Sequence, residues 1–95
     1  MLNNHTLTAH ADEITAILNY LEGRKNQTAT AIGSWCGMSV IKTTALCRLM
    51  THYGLLTAKT GIAFYGTTII YTRIEATSKN FLRIFAKPLD KSQVL

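Results

Sequence analysis

Residues 37 to 56, Gly-Met-Ser-Val-Ile-Lys-Thr-Thr-Ala-Leu-Cys-Arg-Leu-Met-Thr-His-Tyr-Gly-Leu-Leu, restrict the folds open to this chain more than any other stretch. Gly37 ends one helix and opens a tight turn, because glycine takes a positive φ without a Cβ clash. Ser39 reads as the N-cap of the next helix, its hydroxyl oxygen accepting one of the free N–H groups. That helix runs about four turns and stops at Gly54, where Leu55-Leu56 begins a strand. A helix pair joined by so short a turn must cross closely, and the small Gly33 suits the crossing.

The helix after Ser39 has two faces by its spacing. Thr43, Cys47 and Met50 form an inward row, extended by Leu46 and Leu49. Ile41, Lys42, Thr44, Ala45 and Arg48 fall on or near the other side of its early turns. That outward set is small, polar or basic and holds no acid, so it can approach phosphates without repulsion.

Before it, Ile14, Ile17, Leu18 and Leu21 repeat with the period of one buried helical stripe and predict a helix over residues 9 to 22. Thr8 reads as its cap, with Asp12 and Glu13 in the first turn, where the helix dipole favours carboxylates. Thr28 reads as the cap of a short second helix to Cys36, with Ala29, Ile32, Trp35 and Cys36 apolar; Trp35 is expected as a core or helix-packing residue. After Leu55 the period becomes strand-like. Residues 55 to 59 and 67 to 73 predict a hairpin whose tip lies between Gly61 and Gly66. A last helix is expected from 77 to 86, with Phe81, Leu82, Ile84 and Phe85 apolar and Lys79, Arg83 and Lys87 as a basic stripe. Pro88 ends it.

The chain thus divides into a flexible lead at 1–8, one domain at 9–76, and a C-terminal helix and tail at 77–95. Its 95 residues suit one small core. Apolar residues make up 47% and charged residues only 16%, which suggests that a partner or a second copy covers some surface. The net charge is +5, unevenly spread: residues 1 to 23 carry −3 and the rest +8. That asymmetry suits a polyanionic partner, though ordinary solubilising charge also fits. Cys36 and Cys47 are expected as free thiols in a reducing cytoplasm. The scattered His5, His10 and His52 give no metal-ligand spacing, so neither metal nor cofactor is expected. The N-terminus has no basic region followed by an apolar run, so no secretory signal is read. The longest uncharged stretch, 26 to 41, is too short and polar to span a bilayer, so no membrane partner is expected. No nucleophile–base pattern or carboxylate motif is present, so the chain is not read as an enzyme.

The order helix, helix, turn, helix, hairpin, helix resembles the winged helix-turn-helix superfamily, and its size is similar to that of the small fimbrial-operon and phage-borne regulators. The residues that carry the resemblance are Ile32-Gly33, Gly37-Met38-Ser39, the inward Thr43, Cys47 and Met50, and Gly54-Leu55-Leu56. It implies an α+β fold: a three-helix helix-turn-helix core, a two-stranded β-wing and a C-terminal helix. It also implies a cytoplasmic, nucleoid-associated transcriptional regulator of double-stranded DNA, with the third helix in a major groove. Ser39, Ile41, Lys42, Thr44, Ala45 and Arg48 would then face DNA, with backbone contacts from Arg24, Lys25, Thr28, Lys59 and Arg73. The wing departs from the pattern. Its tip, Gly61-Ile62-Ala63-Phe64-Tyr65-Gly66, carries no charge where DNA-binding wings place Arg or Lys. The alternative is therefore a phage-type inhibitor or adaptor that uses the apolar tip against a protein. The last helix serves either a homodimer, a phosphate-binding face or its own core.

Overall fold

The computed structural model describes residues 8–64 and 66–85, and the side chains of all but Ile84 and Phe85. The fold is α+β. Among the described residues there are four helices and one three-stranded antiparallel sheet: α1 (Ala11–Leu21), β1 (Gln27–Thr28), α2 (Ala29–Cys36), α3 (Val40–His52), β2 (Leu56–Ala63), β3 (Gly66–Arg73) and α4 (Glu75–Phe85). Residues 1–7 of the expected 1–8 lead, residues 86–88 and the tail lie outside the described residues, as does Tyr65.

Helix α1 forms because its apolar stripe has somewhere to go. Ile14, Ile17, Leu18 and Leu21 are all buried, and each contributes about 1.5–3 kcal/mol of transfer free energy. It begins at Ala11, not at 9. Thr8 and Ala9 are helical, but the chain turns at His10, which caps α1 without a side-chain bond. The caps of α2 and α3 are as expected. Thr28 Oγ1 accepts the Ala31 N–H at 3.1 Å, and Ser39 Oγ accepts the Lys42 N–H at 3.1 Å. At the end of α3, Gly54 adopts φ +81. Gly54 N–H donates to the Thr51 carbonyl at 3.1 Å and Leu55 N–H to the Met50 carbonyl at 2.8 Å, which satisfies two orphan carbonyls and throws the chain into β2.

The strand order is β1-β3-β2. The expected two-stranded hairpin forms as β2 and β3, and β1 adds a third, unexpected strand beside β3. Gln27 and Thr28 pair with Tyr71 and Ile70, and Leu56 to Ala63 run antiparallel to Arg73 to Gly66. Both hairpin strands are longer than expected, so Gly61 and Ile62 lie inside β2, and Phe64 is in a turn.

The core is one cluster: α1's stripe, Ile32, Leu46, Cys47, Met50, Leu55, Leu56, Tyr71 and Phe81. Helix α4 starts at Glu75, two residues before its expected start, and joins this core. Phe81 is buried, and the buried Ser78 hydroxyl donates to the Leu55 carbonyl at 3.0 Å. This is the self-packing option for that helix; Lys79 and Arg83 remain exposed on it.

Candidate nucleic-acid interface

Helix α3 is held from behind. Thr43, Leu46, Cys47 and Met50 are buried, and the Thr43 hydroxyl donates to the Ser39 carbonyl at 2.8 Å. Helix α2 crosses it closely at Gly33, where a Cβ would stand 2.6 Å from Thr43 Oγ1 and 2.9 Å from the Met38 carbonyl oxygen. With one face fixed, the other is fixed as well. Ile41, Ala45, Arg48 and His52 follow i, i+4, i+7, i+11 spacing, and all four are exposed. At 1.5 Å per residue that stripe is about 16 Å long.

Beside the stripe runs a groove of ≈ 620 Å³. One wall is α3, through Val40, Thr44, Arg48, Thr51 and His52; the others are the start of α2 and the sheet residues Ala58, Ile69 and Tyr71. No carboxylate lines it. Burial pushes the Tyr71 phenol above its ordinary pKa, Cys47 adds to that, and the neighbouring Arg48 charge opposes it. Cys47, deeper in, is pushed up to about 12 by burial, with a smaller contribution from Cys36, so it stays a neutral thiol.

The residues singled out by sequence distribute unevenly. Ile41, Ala45 and Arg48 share the stripe, and the half-buried Thr44 lines the groove. Thr28 lines it too, with its hydroxyl oxygen committed as the α2 cap. Ser39 is exposed and caps α3. Lys42 is exposed but engaged: its Nζ lies 3.0 Å from Glu13 Oε2 of α1. That bond is the chief reason the Glu13 carboxyl is held below its ordinary pKa. Arg24 is not a loose loop cation. Its guanidinium lies 4.5 Å from the Tyr20 ring centroid and 5.6 Å from that of Trp35, and Nη1 donates to the Tyr20 carbonyl at 2.6 Å. Lys25 is exposed in the same loop.

Two residues stand elsewhere. Lys59 pairs with Ile70, and Ala58 pairs with Tyr71 in the groove. Successive side chains alternate between sheet faces, so Lys59 projects from the face opposite Tyr71. Arg73 is buried: Nη1 donates to the Leu18 carbonyl at 2.9 Å and Nη2 to Glu75 Oε1 at 3.1 Å. It ties the end of β3 to the last turn of α1, where the helix dipole favours a cation. The expectation of a surface phosphate contact at Arg73 is therefore corrected. Of the two places expected for Trp35, the structure shows helix packing: it is 68% exposed and packs on the Tyr20 ring of α1 at 5.6 Å.

Sequence reading missed Val40, Thr51, His52 and Ile69 as site residues. The spacing of Thr51 and His52 from Thr44, seven and eight positions on, could have placed the first two turns and the last on one side. His52 meets Tyr53 edge-on at 5.0 Å but remains exposed. Among the described residues no three His, Cys, Asp or Glu side chains gather to hold a metal ion, and no helix is long and apolar enough to cross a membrane. Compared with protein-family models, with curated proteins and with solved structures, the chain matches none.

Proposed function

We propose that the chain is a small winged-helix DNA-binding regulator whose helix α3 enters a major groove. The observation that carries this reading is the exposed, carboxylate-free stripe Ile41, Ala45, Arg48 and His52 on a helix locked by four buried residues. A B-DNA major groove is about 12 Å wide and admits an α-helix end-on or lengthwise. Arg48 supplies the bidentate donors that suit a guanine edge or a phosphate. Lys25 and the start of α2, beside the groove, suit backbone phosphates. Arg73 and Lys59 have no part in this interface. One copy reads few base pairs, so a second copy or a partner protein supplies the remaining selectivity.

A second reading is favoured by a separate observation. Ile62 and Phe64 are each 95% exposed at the end of the hairpin. Apolar side chains at a tip suit a protein partner better than phosphates, and they make the chain an adaptor or inhibitor on the same frame. Selection from a pool of random 20-bp duplexes separates the two. A regulator enriches one sequence family over successive rounds, and an adaptor returns the pool unenriched.

A further inference from the structure

The first half of the α3 stripe is apolar. Ile41 is 85% exposed and Val40, its neighbour on the groove side, 49%. Ala45 follows one turn after Ile41, also exposed, and the methyl-bearing Thr44 stands at the groove edge. None of these side chains fills the core, which is complete behind them. An isoleucine left in water forgoes about 1.5–3 kcal/mol of burial. The polar half of the stripe begins only at Arg48.

We infer, on the DNA reading above, that α3 recognises thymine: Ile41, Ala45 and the Thr44 methyl take the C5-methyl groups that thymine alone presents in the major groove, and Arg48 reads an adjacent guanine. The chemistry is specific to that occupant. A major-groove surface offers hydrogen-bonding edges and the thymine methyl, and an Ile or Ala side chain can contact only the second. The charge agrees with a nucleic acid rather than an apolar protein surface: the stripe and groove contain Arg48 and no carboxylate, and the chain beyond residue 23 carries +8.

The test uses the full chain and two 20-bp duplexes of identical mixed sequence, one with thymine and one with deoxyuridine at every A·T pair. Fluorescence anisotropy at low salt reads both affinities. Deoxyuridine lacks only the methyl, and each lost methyl contact weakens binding about four-fold. The uracil duplex is expected to bind at least that much more weakly. The variant Ile41→Ala, at an exposed position and with unchanged circular dichroism, lowers the thymine-to-uracil ratio toward one, because it weakens the thymine duplex more than the uracil duplex. Equal wild-type affinity for the two duplexes overturns the thymine inference while the DNA reading stands. A ratio that survives in both Ile41→Ala and Ala45→Ser overturns the assignment of the contact to these residues. Failure to bind either duplex overturns the DNA reading itself.

Discussion

Gly33 shows how one missing methyl sets the position of the proposed recognition surface. A Cβ there meets Thr43 Oγ1 at 2.6 Å and the Met38 carbonyl oxygen at 2.9 Å. The hydroxyl is itself bonded to Ser39 and the carbonyl is backbone, so neither yields cheaply. Gly33→Ala is expected to destabilise the fold by about 1–3 kcal/mol, the usual result of overpacking, as read by urea denaturation; an unchanged midpoint would contradict the close crossing. That glycine was legible in the sequence, because a short turn between two helices demands a small residue. Arg73 was not, and Trp35 was only in part. Arg73 keeps phase with Tyr71 along β3 and so points inward, but a charged residue at a strand end ordinarily reads as exposed. Trp35 reads equally as core or as helix packing. It stays outside because α2 buries Ile32 and Gly33 instead, and Tyr20 and Arg24 cover part of its ring.

At the scale of elements, α1 and α3 meet through Glu13 and Lys42 at the rim of the proposed interface. Both side chains are partly exposed, so the pair contributes under about 1 kcal/mol to stability. Its pH sign follows from the lowered Glu13 pKa, caused first by the Lys42 bond and then by a backbone hydrogen bond, with burial opposing. The contribution is whole above the ordinary carboxylate value of 4.5 and fades as pH falls through the lower folded-state value. The stability difference between wild type and Glu13→Gln is therefore expected at neutral pH and absent in strong acid. The same substitution frees Lys42 for phosphate, so it tightens low-salt DNA binding; weaker binding would mean that the pair orients α3 instead. Helices α2 and α3 were readable from their caps and inward rows. Strand β1 was not, since two residues, Gln27 and Thr28, carry no alternation and pair only because β3 offers its free edge. The start of α4 was hidden for a similar reason: Glu75 and Ala76 lie ahead of the first apolar residue that packs.

At the scale of the whole molecule, one cation stands out at the proposed interface, Arg48. The acidic residues before position 24 belong to α1 and its end, and one of them neutralises Lys42. Arg73 is consumed inside the fold. Of the residues first assigned to DNA, Arg48 is the cation that lines the groove and stands on the exposed stripe. Release of counterions by such cations makes binding fall with salt, with a log–log slope of about −0.9 per phosphate neutralised. The most direct measurement is the affinity of the full chain for a random 20-bp duplex pool across a series of NaCl concentrations, wild type beside Arg48→Ala. The account predicts a clearly negative slope for wild type, made shallower by about one in the variant, with circular dichroism unchanged. A flat wild-type slope, or the same slope in both proteins, would contradict it.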